Sequence, residues 1–253
     1  MKRFPQTIML FLCSLSLFIS LMETSVAASD TKGLSFYMLR VIYPESANKG
    51  VTITMNNKSD APYLVQSRII PVDARTGNID LSYRGQPKMP FIVTPPLARA
   101  EANGELTLRI RRNGEPLPAD RESVFFISMK AIPAKKEALQ QEGAGRIAVT
   151  VVSNMKLFYR PEGLASRAVA DAASKLRFHR EENTLVAENP TPYWLTFSRL
   201  SVGSTSLDKP ALRLMVPPQG QQRYTFPPGT HGNVSWTLID EDGWDTPLQQ
   251  YTL

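Results

Sequence analysis

From residue 51 to residue 239 the chain is a run of short stretches in which β-branched and aromatic residues alternate with polar ones. Each stretch is stopped by proline, glycine or asparagine, so the turn signals recur too often for helices of ordinary length. Val51-Thr52-Ile53-Thr54-Met55 gives way to Asn56-Asn57-Lys58-Ser59-Asp60, and similar stretches cover 63–70, 90–94, 106–110 and 124–130. The longest covers 147–159 and ends at Arg160-Pro161-Glu162-Gly163, a natural boundary. A second series follows at 176–179, 184–187, 193–197, 212–215, 222–226 and 233–239. The alanine-rich stretch 162–175 is the one helical pattern, either a short helix or an irregular linker. Residues 134–145, polar and glycine-bearing, read as a mobile loop. The expected fold class is all-β, with two immunoglobulin-like β-sandwich domains.

The first residues stand apart from this texture. Lys2 and Arg3 precede an apolar run over 8–22, and Ser25-Val26-Ala27-Ala28 supplies small residues. That order predicts a secretory signal peptide over 1–27, with cleavage after Ala27 or Ala28 equally consistent. Residues 28–161 and 162–253 are then the N-terminal and C-terminal domains. The run is too short for a spanning helix, so the mature product is expected to be exported and not membrane-embedded. The single cysteine, Cys13, lies inside the leader, which leaves no disulfide framework for the mature domains. A conventional core must hold them. The net charge of +6 is spread along the chain, densest at Arg109-Ile110-Arg111-Arg112. Export argues against nucleic acid, and the basic stretch reads as a solvated strand face.

Several segments, in order, resemble the PapD-like periplasmic pilus chaperones, of the short-loop branch. Arg40-Val41-Ile42-Tyr43-Pro44 resembles their first strand. Phe91-Ile92-Val93-Thr94-Pro95-Pro96-Leu97 resembles their double-proline turn, with Thr94–Pro95 a candidate cis bond. Asp120-Arg121-Glu122-Ser123-Val124-Phe125, Met155-Lys156-Leu157-Phe158-Tyr159-Arg160-Pro161 and Asn189-Pro190-Thr191-Pro192-Tyr193 resemble later motifs. The resemblance implies an L-shaped pair of domains with a cleft. It also implies a periplasmic, non-enzymatic chaperone that binds pilus (fimbrial) subunits lacking their last strand and passes them to an outer-membrane usher. No cofactor is implied.

The resemblance also assigns residues. Arg40 and Lys156 are expected to grip the client's C-terminal carboxylate, since two fixed cations can hold both oxygens. Ile147, Val149 and Val151, on one face at period two, are expected to point outward and fill the client's groove by β-augmentation. The alternative is that they face their own core. Lys156 has the opposite parity, which a bulge between Val152 and Met155 would reconcile. An exposed apolar edge is an aggregation hazard, so the free protein is expected to protect it, through residues 134–145 or as a self-capping dimer. Glu122, Arg160 and Asp240, with Asp242 as alternative acid, are expected to form an interdomain charge cluster.

His179 and His231 are far apart and lack a metal-ligand pattern, so no metal site is expected. Nucleophile-elbow, phosphate-loop and H-E-x-x-H motifs are absent. A structural pilus subunit or adhesin with immunoglobulin-like domains is the competing reading. A periplasmic hydrolase finds no motif in its support.

Overall fold

The structure, a computed structural model, describes residues 33–134 and 149–253. In chain order its strands are Leu34–Phe36 (β1), Arg40–Pro44 (β2), Val51–Asn57 (β3), Tyr63–Asp73 (β4) and Asn78–Ile79 (β5). Phe91–Thr94 (β6), Leu97–Ala100 (β7), Gly104–Arg112 (β8), Ser123–Pro133 (β9) and Val151–Arg160 (β10) complete the first half. A short helix, Val169–Ala173 (α1), precedes Arg177–Glu181 (β11), Thr184–Asn189 (β12), Leu195–Val202 (β13) and Thr205–Ser206 (β14). Met215–Val216 (β15), Gly220–Thr225 (β16), Val234–Leu238 (β17) and Gln249–Tyr251 (β18) end the chain.

The first ten strands make two sheets, β1-β3-β8-β6 and β2-β10-β9-β4-β5, with β7 against β4. The later strands make β11-β12-β16 and β14-β13-β17-β18, with β15 against β13. Each pair of sheets closes on its own core. In the first, Ile53, Phe91, Leu108 and Ile110 of one sheet meet Val65, Ile127, Met129 and Leu157 of the other. In the second, Phe178, Phe197, Tyr224 and Trp236 lead the cluster, with the Phe178 and Trp236 ring centroids 4.7 Å apart. Period two explains the division: in β8, Leu108 and Ile110 are buried while Thr107, Arg109 and Arg111 face solvent. Arg112 lies over the Tyr159 ring, 4.7 Å from its centroid. The Thr94–Pro95 bond is cis.

Of the two readings open for 162–175, the structure shows the short helix, α1, preceded by an irregular stretch in which Arg160 takes the carbonyls of Ala165 and Ser166 at 2.8 and 2.5 Å. One local expectation needs correction. The strand expected over 212–215 begins only at Met215: a 3-10 turn, Ala211–Arg213, precedes β15. Asp208 Oδ1 starts that turn by accepting the Ala211 N–H at 3.0 Å.

The chain enters the first sandwich by serving both of its sheets. β1 pairs with β3, residues 37–39 cross over, and β2 then joins the opposite sheet parallel to β10. The pairing starts at Lys156↔Arg40. Among the described residues, β10 therefore has no neighbouring strand on that side from Val151 to Met155. Among the described residues no helix is long and apolar enough to cross a membrane.

Candidate functional site

β10 presents two different faces. Its ladder with β9 runs unbroken from Val151↔Ala131 to Tyr159↔Ser123. There is no bulge between Val152 and Met155, contrary to the sequence expectation. Met155, Leu157 and Tyr159 enter the first core. Lys156, Phe158 and Arg160, alternating with them, line the opposite face, toward the second sandwich. A regular strand removes the parity conflict, since Lys156 and Val151 lie on opposite faces.

Three successive rows cross this face. In the first, Arg40 and Lys156 are paired neighbours on β2 and β10. Arg40 is buried; it donates through Nη1 to Ile239 O at 2.9 Å and lies over Phe158, 5.2 Å from the ring centroid. Lys156, partly buried, reaches Thr196 Oγ1 at 3.4 Å. Among the described residues neither cation has an ion pair, so two like charges share one site. Burial, reinforced by Arg40, lowers Lys156 to about 7, and burial lowers Arg40 to about 10 against the pull of Glu241 and Glu122. An anion placed there would reverse both effects.

The second row is apolar. Phe158 and Val124, with Ile42 and Val72 beside them, pack on Met215 and Trp194 of the second sandwich. The third is ionic. Arg160 donates to Glu122 Oε1 through Nε and Nη2 at 2.7 and 2.6 Å, and through Nη1 to Glu241 Oε1 at 3.1 Å. The guanidinium also covers the Tyr193 ring at 4.9 Å. Burial raises the Glu122 carboxyl above its usual range, while Arg160 and the Trp194 N–H pull the other way.

The cluster differs from expectation in its third member, which is Glu241. Asp240 Oδ1 accepts the N–H groups of Asp242 and Trp244 at 3.0 and 2.8 Å and so closes its own loop. The shorter Asp240 side chain is spent locally, whereas Glu241 reaches Arg160 and also caps α1 by accepting the Ala168 and Val169 N–H groups. Asp242 pairs instead with exposed Arg167 at 2.6 Å. Sequence reasoning also missed Trp194, which donates to Glu122 through its backbone N–H at 2.8 Å and its indole at 3.0 Å. The period-two series Lys156-Phe158-Arg160 was the signal that could have exposed the whole face.

On the other face, Val149 is 67% and Val151 41% exposed, although both share the parity of the core residues. The core ends before them. Val152, which period two assigns to the anchor's face, is also exposed. Ile147, and all of the loop 134–145 except Ala134, lie outside the described residues. His179 sits beside Glu181 and Glu188, and His231 beside Arg180, away from this site.

Comparison with known proteins agrees with this geometry. The model of the "Pili and flagellar-assembly chaperone, PapD N-terminal domain" matches residues 33–165, and that of the "Pili assembly chaperone PapD, C-terminal domain" matches 171–250. Chaperone protein FimC of Escherichia coli K12 is 34% identical over 236 residues, 93% of this chain and 90% of its own. Chaperone protein FimB/FhaD of Bordetella pertussis is 35% identical over 233 residues, 90% of this chain and 91% of its own. Among solved structures, the E. coli chaperone DraB superposes with a TM-score of 0.71 at 31% identity, covering 87% of this chain and 96% of that one. A chain of the Salmonella enterica SafA pilin–SafB chaperone complex gives 0.73 at 29%, covering 89% of this chain and 99% of that one. With both domain models matched in order across the described sandwiches, the chain belongs to the PapD-like family of pilus-assembly chaperones.

Proposed function

We propose that this protein holds pilus subunits in the periplasm by lending them the open edge of β10, and passes them to an outer-membrane usher without catalysing a reaction. The observation that carries the reading is a coincidence of place: among the described residues the edge is unpaired from Val151 to Met155 and ends at two cations that make no ion pair. A client whose terminal carboxylate sits at Arg40 and Lys156 must extend back along Met155 toward Val151. Its last strand therefore runs parallel to β10, in line with β2. Backbone bonds fix the register, and Val149 and Val151 enter the client's open core beside Ile147.

Magnitudes assign the roles. Each charge-assisted bond contributes about 1.5–3 kcal/mol, and burying each valine contributes about 1.5–3 kcal/mol. Ordering costs of about 0.5–1.5 kcal/mol per immobilised side chain offset part of this. The cations chiefly set register and the apolar edge supplies much of the affinity. Left unfilled, that edge invites self-association, and a self-capping dimer is the form we expect of the free protein.

The test is co-expression with pilus subunits of the same genome followed by pull-down. Arg40→Ala and Lys156→Ala should fold normally and lose capture. Capture at wild-type level by both would refute the anchor.

A further inference from the structure

The two sandwiches also meet outside these three rows, at a place distant in sequence from the ionic one. The tip of the β4–β5 hairpin rests on the second sandwich, with Gly77 against the backbone of Arg213 and Leu214. A Cβ on Gly77 would stand 2.2 Å from the Arg213 carbonyl oxygen, 2.5 Å from its carbon and 2.8 Å from Leu214 N. All three are backbone atoms, so no rotamer change relieves the overlap. Gly77 also has a φ of 65°, in the left-handed region.

Both sides of the contact are stiff. The hairpin tip is closed by the Gly77 N–H to Asp73 O at 2.8 Å and the Arg75 N–H to Asp73 Oδ1 at 2.9 Å. Opposite, the Leu214 N–H bonds to Ala211 O at 3.2 Å, and the buried Tyr224 donates its hydroxyl to Leu214 O at 3.0 Å. The contact borders a cleft pocket lined by Asp73, Asn78, Asn154, Pro210 and Arg213. Asn154 is two residues before Lys156, on the same face of β10. The hairpin contact therefore lies beside the face of β10 that carries Lys156.

We propose that Gly77 is a positioning residue for client capture: its missing side chain lets the hairpin tip seat on the second sandwich, and that seat sets how Arg40 and Lys156 meet Ile239 and Thr196. The proposal rests on the anchor reading. The apolar row around Phe158 and Met215 is the pivot. A side chain at residue 77 must widen a 2.2 Å approach to an ordinary contact of at least 3.4 Å, and the second sandwich turns to accommodate it.

The experiment compares Gly77→Ala, which adds both a Cβ and backbone strain, with Gly77→Asn, which adds a Cβ but tolerates the left-handed region. Spin labels at Glu105→Cys and Gln250→Cys report the distance between the sandwiches. Affinity is read with a C-terminal peptide, free carboxylate, of a subunit captured in co-expression. Both variants should shift the distance and bind the peptide at least about tenfold more weakly, with native circular dichroism. An unshifted distance in Gly77→Asn would overturn the strut, and so would a defect confined to Gly77→Ala. A shifted distance with undiminished affinity refutes positioning. Should Arg40→Ala also bind the peptide as wild type does, the failure lies in the anchor reading itself.

Discussion

Replacing Arg160 by methionine removes one side chain that five acceptor contacts and a ring surround. Glu122 and Arg160 are each 3% exposed, so water cannot replace the lost charge. Glu122 would keep the Trp194 N–H at 2.8 Å but lose both guanidinium bonds. Glu241 would keep its two helix N–H groups. Breaking a buried pair from one side costs about 3–5 kcal/mol, because it strands a charge rather than merely removing an attraction. At about 2–4 °C per kcal/mol for a protein of this size, the melting temperature should fall by roughly 6–20 °C. The assay is guanidinium and thermal unfolding followed by fluorescence, to which Trp194 at the joint contributes directly. A second variant isolates the cause: Glu122→Gln in the Arg160→Met background removes the stranded charge and should recover about half the loss, leaving about 1–3 kcal/mol of unmade hydrogen bonds. A loss under about 1 kcal/mol, as at an exposed pair, would refute the reasoning. So would a double variant no more stable than Arg160→Met alone.

The corrected third acid gives a simple comparison: Glu241→Gln should destabilise by about 1–3 kcal/mol in urea unfolding, while Asp240→Asn, which keeps an acceptor for its two N–H groups, should stay within about 0.5 kcal/mol. The lowered Lys156, about 7 against an ordinary 10.5, predicts a pH dependence of capture. A bound carboxylate favours the ammonium, so binding takes up a proton above pH 7; subunit affinity should weaken by up to about tenfold per pH unit there and be flat, as far as this group goes, below it. Lys156→Arg should flatten the profile in a calorimetric titration. Stability of the free protein should move the opposite way, rising from pH 7 toward 10.5, because the unfolded chain holds the proton more tightly. Val151→Glu should leave the melting temperature of the free protein within a few degrees yet cut subunit capture at least about tenfold, since the side chain it replaces is already 41% exposed; a large thermal loss would place Val151 in its own core.

Much of the fold was legible because period two and turn chemistry are local. Leu108 and Ile110 against Arg109 and Arg111 show their faces without any partner in view, and Pro161 with Gly163 marks where the first series ends. What escaped was non-local. Nothing near Leu34 says that one short segment serves two sheets, yet among the described residues that crossing leaves β10 open up to Met155. Residues 212–213 look like the start of a strand, and only Asp208, accepting from the first residue of a 3-10 turn, shows otherwise. The ionic row illustrates the same limit: Asp240 and Glu241 are adjacent carboxylates, and which one reaches Arg160 depends on side-chain length and on a loop that consumes the shorter. A resemblance supplied Arg40 and Lys156 as a pair; their shared row came from the register between β2 and β10, and their burial from the second sandwich packed against them.

The central claim is that a chain terminus, not merely an extended strand, is what the two cations recognise. Titrating the protein with the C-terminal peptide of a captured subunit in two forms, free carboxylate and carboxamide, tests it directly. The carboxylate should bind at least about tenfold more tightly, and the difference should vanish in Arg40→Ala/Lys156→Ala. Equal affinity for both peptides in the wild-type protein would contradict the account.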